Sequence, residues 1–276
     1  MAGGDIIIRG ETAAVEKPGG KTVEISLAKL LELAQPNQID SCGIRLAPEV
    51  RFAYTRRGMT ILACEYPPGP YTLSWIADDS PAPFGRNAKY RTVTISLPYV
   101  IVLAVFDGTR ISDLNECFFR AEPLTEIDED NQLKYPGLLN CSRFEPPEGH
   151  PLAWICTQHL DRRPICKEED SRKRIALGLA TLRRCLFEQS FNMSSDLHEY
   201  SSWYSESSGV DERISSVERW HEETKKNRFM GLDVPWLDTN ETLKSIVERI
   251  FANQGRVGRD VTDARQLSRL IFNNAP

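Results

Sequence analysis

His150, Cys156, His159 and Cys166 fall in and just after one crowded stretch, "YPGLLNCSRFEPPEGHPLAWICTQHL" at 135–160. Thiolate and neutral imidazole are ligands that zinc prefers, and four of them close a tetrahedron. The spacing is H-x5-C-x2-H-x6-C. It lacks the paired knuckles of zinc motifs, so no metal and no other cofactor is expected. Cys156 and His159 also suit a nucleophile and its base, because a thiol becomes reactive when a neighbour lowers its pKa. A third reading needs no chemistry. Cys141, Cys156 and Cys185 then act as small buried apolar groups, and the histidines as surface or packing residues.

Other motifs are weaker or missing. The acidic run "EIDED", 126–130, lacks the alternating ligands and glycine of a calcium loop and reads as a solvated turn. There is no G-x-x-x-x-G-K-[ST], no G-x-G-x-x-G opening a helix, no H-E-x-x-H and no G-x-S-x-G. P-loop nucleotide hydrolysis, dinucleotide binding and the commonest hydrolase arrangements therefore have no support. The 276 residues carry a net charge of −5, which gives no electrostatic footprint for nucleic acid or an anionic membrane. The basic run Arg172–Lys173–Arg174 is preceded by Glu168, Glu169 and Asp170, which balance it. Seven cysteines, odd in number and dispersed, argue against a disulfide scaffold and for a reducing compartment. "MAGGDIIIRGE" is no leader, and no uncharged run approaches the ~20 residues that cross a bilayer, so a soluble cytoplasmic protein is expected.

The elements that would position Cys156 divide the chain into three zones. Residues 1–43 read as an N-terminal arm with one short helix, "ISLAKLLELA", striped by Leu27, Leu30, Leu31 and Leu33. Residues 44–190 read as an antiparallel meander packed by a long helix. "EVRFAYTRRGMTILACEYPPGPYTLSWIA" holds three strand-like runs separated by "RRG" and "PPGP", both turn chemistry. Val93, Ile95 and Leu97 alternate before Pro98, which lacks a backbone donor and should mark an edge, bulge or strand junction. "CFFRAEPL" and "GLLNCSRF" are further strands. Ile175, Leu179, Leu182 and Leu186 then recur at helical spacing after an N-cap at Asp170 or Ser171, with acidic residues in the first turn. Residues 191–276 read as a loop and a helical extension, with helices at "SSVERWHEETKK", capped by Ser216, at "TNETLKSIVERIFA", capped by Thr239 or Asn240, and at "DVTDARQLSRLIFN". Trp203, Trp220 and Trp236 are residue types enriched at interfaces, though docking of tail helices explains them as well.

Strand meander, "YP" at Tyr135–Pro136, a short strand, "HP" at His150–Pro151, "IC" at Ile155–Cys156 and then a long helix is an order that resembles the ubiquitin-conjugating enzyme (UBC-like) fold. "SLPYVIVLAVF", "FFRAEPL", "LLNCS" and "WICTQHL" are similar to the layout of its divergent prokaryotic members, including those of plasmid-borne operons. The resemblance covers roughly residues 44–190. It implies an α+β fold in which Cys156 accepts a ubiquitin-like C-terminus as a thioester and passes it to an amine, with His150 and Pro151 shaping the loop. It also implies protein partners: an activating enzyme and a small ubiquitin-like modifier. The family's oxyanion-directed asparagine is replaced here by Leu152. His159 helps as orienter or base only if the chain turns after Cys156. The alternative is a non-catalytic scaffold or interaction subunit of the same architecture in a larger bacterial assembly.

Overall fold

A computed structural model describes residues 6–9, 12–16, 22–26, 47–56, 58–82, 86–126, 131–137, 140–143, 151–157, 160–191 and 208–256. The chain forms two compact units. One comprises Met1–Ile44, Arg56–Gly58 and Phe251–Pro276, and the other Arg45–Thr55 and Met59–Ile250.

In the first unit β1 (Ile6–Arg9), β2 (Thr12–Glu16) and β3 (Thr22–Ser26) form an antiparallel meander. The N-terminal arm is thus partly strand, as its branched residues favour. Ile25 and Ser26, which begin the expected helical pattern, end β3, and the rest of that pattern lies outside the described residues. The Arg56 guanidinium lies 5.0 Å over the Phe251 ring. The terminal helix expected at "DVTDARQLSRLIFN" is also outside the described residues.

The remaining chain supplies β4 (Val50–Arg56), β5 (Met59–Tyr66), β6 (Gly69–Ile76), β7 (Tyr90–Leu97), β8 (Tyr99–Asp107), β9 (Arg110–Ile111), β10 (Glu116–Arg120), β11 (Gln132–Lys134), β12 (Cys141–Arg143), β13 (Ala153–Ile155), β14 (Ser190–Phe191) and β15 (Asp238–Thr242). Its helices are α1 (Arg163–Lys167), α2 (Ser171–Phe187), α3 (Val217–Lys226) and α4 (Leu243–Arg256). The architecture is α+β. The main sheet runs β12–β13–β10–β8–β5–β4, with β9 on β8 and with β11 linking β10 to β15.

β5 through β8 form one long ribbon. Tyr66 pairs with Val100 and Gly69 with Leu97, three residues further along each strand, so the β5–β8 register continues unbroken into β6–β7. The ladder lapses where Pro67 and Pro68 face Pro98 and Tyr99, because proline cannot donate. Pro98 is therefore the strand junction its chemistry demands. "PPGP" is not the chain reversal expected of it. Both strands lose donors at the same level, so the ribbon bends and resumes in register, with the Tyr71 hydroxyl donating to Pro67 O at 2.6 Å.

Alternation sorts the sheet's two faces. Leu62, Cys64, Val100, Val102, Ala104, Phe106, Cys117 and Phe119 join one buried cluster with Leu179, Leu182 and Leu186 of α2. The expected stripe thus faces the sheet, with Ile175 partly buried at its margin. The opposite face carries Ile61, Ile101, Leu103, Glu116 and Phe118, and Arg249 of α4 reaches Glu116 there. On α4, Leu243, Ile246, Val247 and Ile250 are buried at i, i+3, i+4 and i+7. β8 is covered on both sides, which explains its continuous apolar run.

Two helix starts differ from expectation. Asp170 caps α2 by accepting from Arg172 and Lys173 N–H at 2.8 and 3.3 Å, but the first turn holds no acid, because Glu168 and Glu169 precede the helix. Thr239 and Asn240 belong to β15, where the pairing with β11 shifts and Asn240 takes a left-handed φ of 58°. α4 is opened instead by Thr242 and Ser245. Ser245 N donates to Thr242 Oγ1 at 3.2 Å, and Thr242 N donates to Ser245 Oγ at 2.9 Å.

Residues 208–250 are not an appendage to the fold. Ile214, Val217, Trp220, Met230, Val234 and Trp236 belong to the main buried cluster, and Trp220 and Trp236 are in ring contact at 5.8 Å. Their burial withdraws both tryptophans as interface anchors. Trp203 lies outside the described residues.

Candidate functional site

Three strands and one helix converge on Cys156. β13 ends at Ile155, whose N–H donates to Asn115 O at 2.9 Å, and Cys141 of β12 stands opposite Ile155. Cys156 N–H donates to Asn140 O at 2.9 Å, while the Cys185 thiol of α2 donates to Cys156 O at 3.1 Å. Asn140 Nδ2 donates to Cys185 O at 2.7 Å and so ties the start of β12 to the last turn of α2. Cys156 is thus held by its backbone on both sides.

The cysteines around it differ in environment. Cys156 is half-buried and Cys166 on α1 is exposed, whereas Cys141 and Cys185 are buried. Burial, with the Cys156 and Cys141 thiols nearby, pushes the Cys185 thiol up to about 12. Burial raises Cys141 well above the ordinary thiol value, and a hydrogen bond with the Cys117 thiol adds to it. Cys141 and Cys185 are therefore neutral packing thiols at neutral pH. Cys156 is the one of these three that solvent reaches.

The approach to Cys156 is pinned by a buried carboxylate. Glu116, 1% exposed, accepts from Leu152 N–H at 2.9 Å and Ala153 N–H at 3.4 Å. Arg249 Nη2 donates to both of its oxygens, at 3.0 and 2.8 Å. Leu152 offers no side-chain donor toward a reacting carbonyl, and its backbone donor is engaged by Glu116. The Trp154 indole of β13 donates to Asp113 O at 2.7 Å, and Arg162 pairs with Asp113 as well.

His150 and His159 lie outside the described residues, as do 127–130 of the acidic run. Among the described residues, no group of three or more His, Cys, Asp or Glu side chains is arranged to hold a metal ion. No helix among them is long and apolar enough to cross a membrane. Sequence reasoning missed Glu116 and Arg249. The signal was present, since a lone glutamate opens the otherwise apolar strand "ECFF", and a buried charge requires a partner.

Compared with protein-family models, curated proteins and solved structures, the chain matches none.

Proposed function

We propose that the chain is a UBC-like carrier that takes a ubiquitin-like modifier as a thioester on Cys156 and passes it to an amine. One observation carries the reading: the meander β4–β5–β8–β10 is followed by a hairpin that delivers a half-buried cysteine beside a helix crossing the same sheet. The thiolate would attack the activated carbonyl of the modifier, expel the activating enzyme's thiol, and later leave as the acceptor amine forms an amide. His150 and His159 are the candidate loop-shaping and proton-handling groups.

A direct test incubates the protein with its activating enzyme, ATP and the modifier. The expected product is an adduct that added thiol removes. Cys156→Ser should convert it to a thiol-resistant oxyester, and Cys166→Ser should leave it unchanged. Absence of any adduct on the intact chain, or an adduct indifferent to Cys156, overturns the proposal.

The engagement of Leu152 N–H by Glu116 favours a second reading, a non-catalytic subunit of the same architecture. Loss of one oxyanion donor is worth about 2.7–4 kcal/mol, which slows such chemistry without abolishing it. Retention of biological activity in Cys156→Ala would select this second reading.

A further inference from the structure

The outer face of α2 breaks a local rule. The helix carries Arg172, Lys173, Arg174, Arg183 and Arg184 and no acidic residue. Three of these cations occupy its first turn, where the helix dipole already places positive charge and favours acids. Segment 162–187 holds eight basic residues against three acidic ones in a chain whose net charge is −5.

Two of the preceding acids are bonded to the backbone rather than to these side chains, although the Asp170 charge still acts on Arg172 and Lys173. The Asp170 carboxylate is spent on the N-cap, and Glu168 Oε1 accepts from Asp170 N–H at 3.0 Å. Arg174 has a structural role, since it donates to Glu168 O and to Thr109 Oγ1. Among the described residues, Arg172, Lys173 and Arg183 make no ion pair, and Arg184 has only Glu188 at 3.8 Å.

Arg172, Lys173, Ala176, Ala180, Arg183 and Arg184 are all exposed. At roughly 100° per residue they fall within an arc of about 120° on one side of the helix. Two basic clusters therefore stand about 16 Å apart, with a floor of two alanines between them. An interaction that stabilised the fold would not leave two cations, Arg172 and Lys173, without an ion pair at a helix N-terminus. Small residues between charged ends suit close approach by another backbone. The face carries no aromatic ring for stacking on bases, and the chain's overall negative charge opposes long polyanions.

We propose that this face docks an acidic helical segment of a protein partner, with carboxylates near both ends and small or apolar residues at its middle. The proposal stands whether or not Cys156 carries chemistry, and it needs no activating enzyme to test.

The probe is a fluorescent peptide of about 14 residues, with glutamate pairs at each end and alanine and leucine between. Its anisotropy is followed with the full chain at about 50 mM and about 300 mM salt, which spans strong to weak screening. Saturable binding that falls with salt is expected. Arg172→Glu/Lys173→Glu and Arg183→Glu/Arg184→Glu should each weaken it on the order of tenfold or more, and a peptide with lysines at the matching end should restore it. Ala180→Trp should weaken binding at unchanged charge, because it fills the floor. Arg172→Glu/Lys173→Glu should also raise Tm while it weakens docking, since acids suit that end of the helix. Equal binding by the charge-reversed variants overturns the proposal, as does indifference to Ala180→Trp. Tighter binding of single-stranded DNA or of phosphatidylserine vesicles than of the peptide at the same salt also overturns it.

Discussion

The two halves of the β5–β8 ribbon share one register but not one environment. In the inner half, β5 and β8 have ladder partners on their outer sides, β4 and β10, and helices on both faces. In the outer half, no strand among the described residues pairs with the far side of β7. Helix α3 lies along that edge, and its side chains take the ladder's place. Ser96 N–H donates to Thr224 Oγ1 at 2.8 Å, and the Trp220 indole donates to Ser96 O at 3.0 Å. His221 Nδ1 lies 2.9 Å from both Thr94 N and Thr94 O. An exposed strand edge invites pairing with other chains, and this one is covered by a helix whose residues at i, i+1 and i+4 match alternate strand positions. Equal register does not mean equal support, so substitutions should separate the halves.

The largest effect should come from Trp220→Ala in the outer half. It empties a fully buried site and strips Ser96 O of its donor, at about 4 kcal/mol by denaturant unfolding. Glu116→Ala is the inner-half counterpart. It strands Arg249 and two backbone donors, at about 3 kcal/mol. It should also speed alkylation of Cys156 relative to Cys166, because the segment leading to Cys156 loses its anchor. An unchanged ratio of the two rates would detach Glu116 from the site.

Thr224→Val is milder and more diagnostic. It keeps the shape but leaves Ser96 N–H buried without an acceptor, at about 1–3 kcal/mol. Amide exchange should quicken at Ser96 and stay slow at Val102 on β8. If both quicken together, the halves open as one unit and the comparison fails. Gly231→Ala should act on the same edge, since its Cβ would come within 2.7 Å of Leu97 C and Ser96 O.

The smallest effect concerns Asp211, at the start of the segment that leads to α3. A hydrogen bond from the Arg213 side chain holds its carboxyl below the usual carboxylate range. A depressed acid contributes stability that is present above the unfolded pKa of about 3.9 and is lost as pH falls through the folded value. Asp211→Asn should therefore lower stability slightly at pH 7, where the contribution is fully present, and flatten the profile below about pH 4, where it is being lost, as read by denaturant unfolding across pH.

Much of the sheet was legible because alternation and proline act locally. Val93, Ile95 and Leu97 alternate and are buried, Pro98 ends one strand and begins the next, and the stripe on α2 faces the sheet. "PPGP" was misread because its role depends on Pro98 across the ladder, a partner some thirty residues away. Thr239 and Asn240 read as helix caps from sequence because cap chemistry resembles the left-handed corner of a bulge until the β11 partner is seen.

Residue types and spacing determined an α+β chain with Cys156 after a short strand and before a long helix. Tertiary structure decided that Cys141 and Cys185 are buried while Cys156 meets solvent, and that Glu116 meets Arg249 across 133 positions. It also decided that Trp220 and Trp236 belong to the core. The physical reason is that burial, pairing and desolvation are properties of what comes to surround a group, and those surroundings arrive from distant parts of the chain.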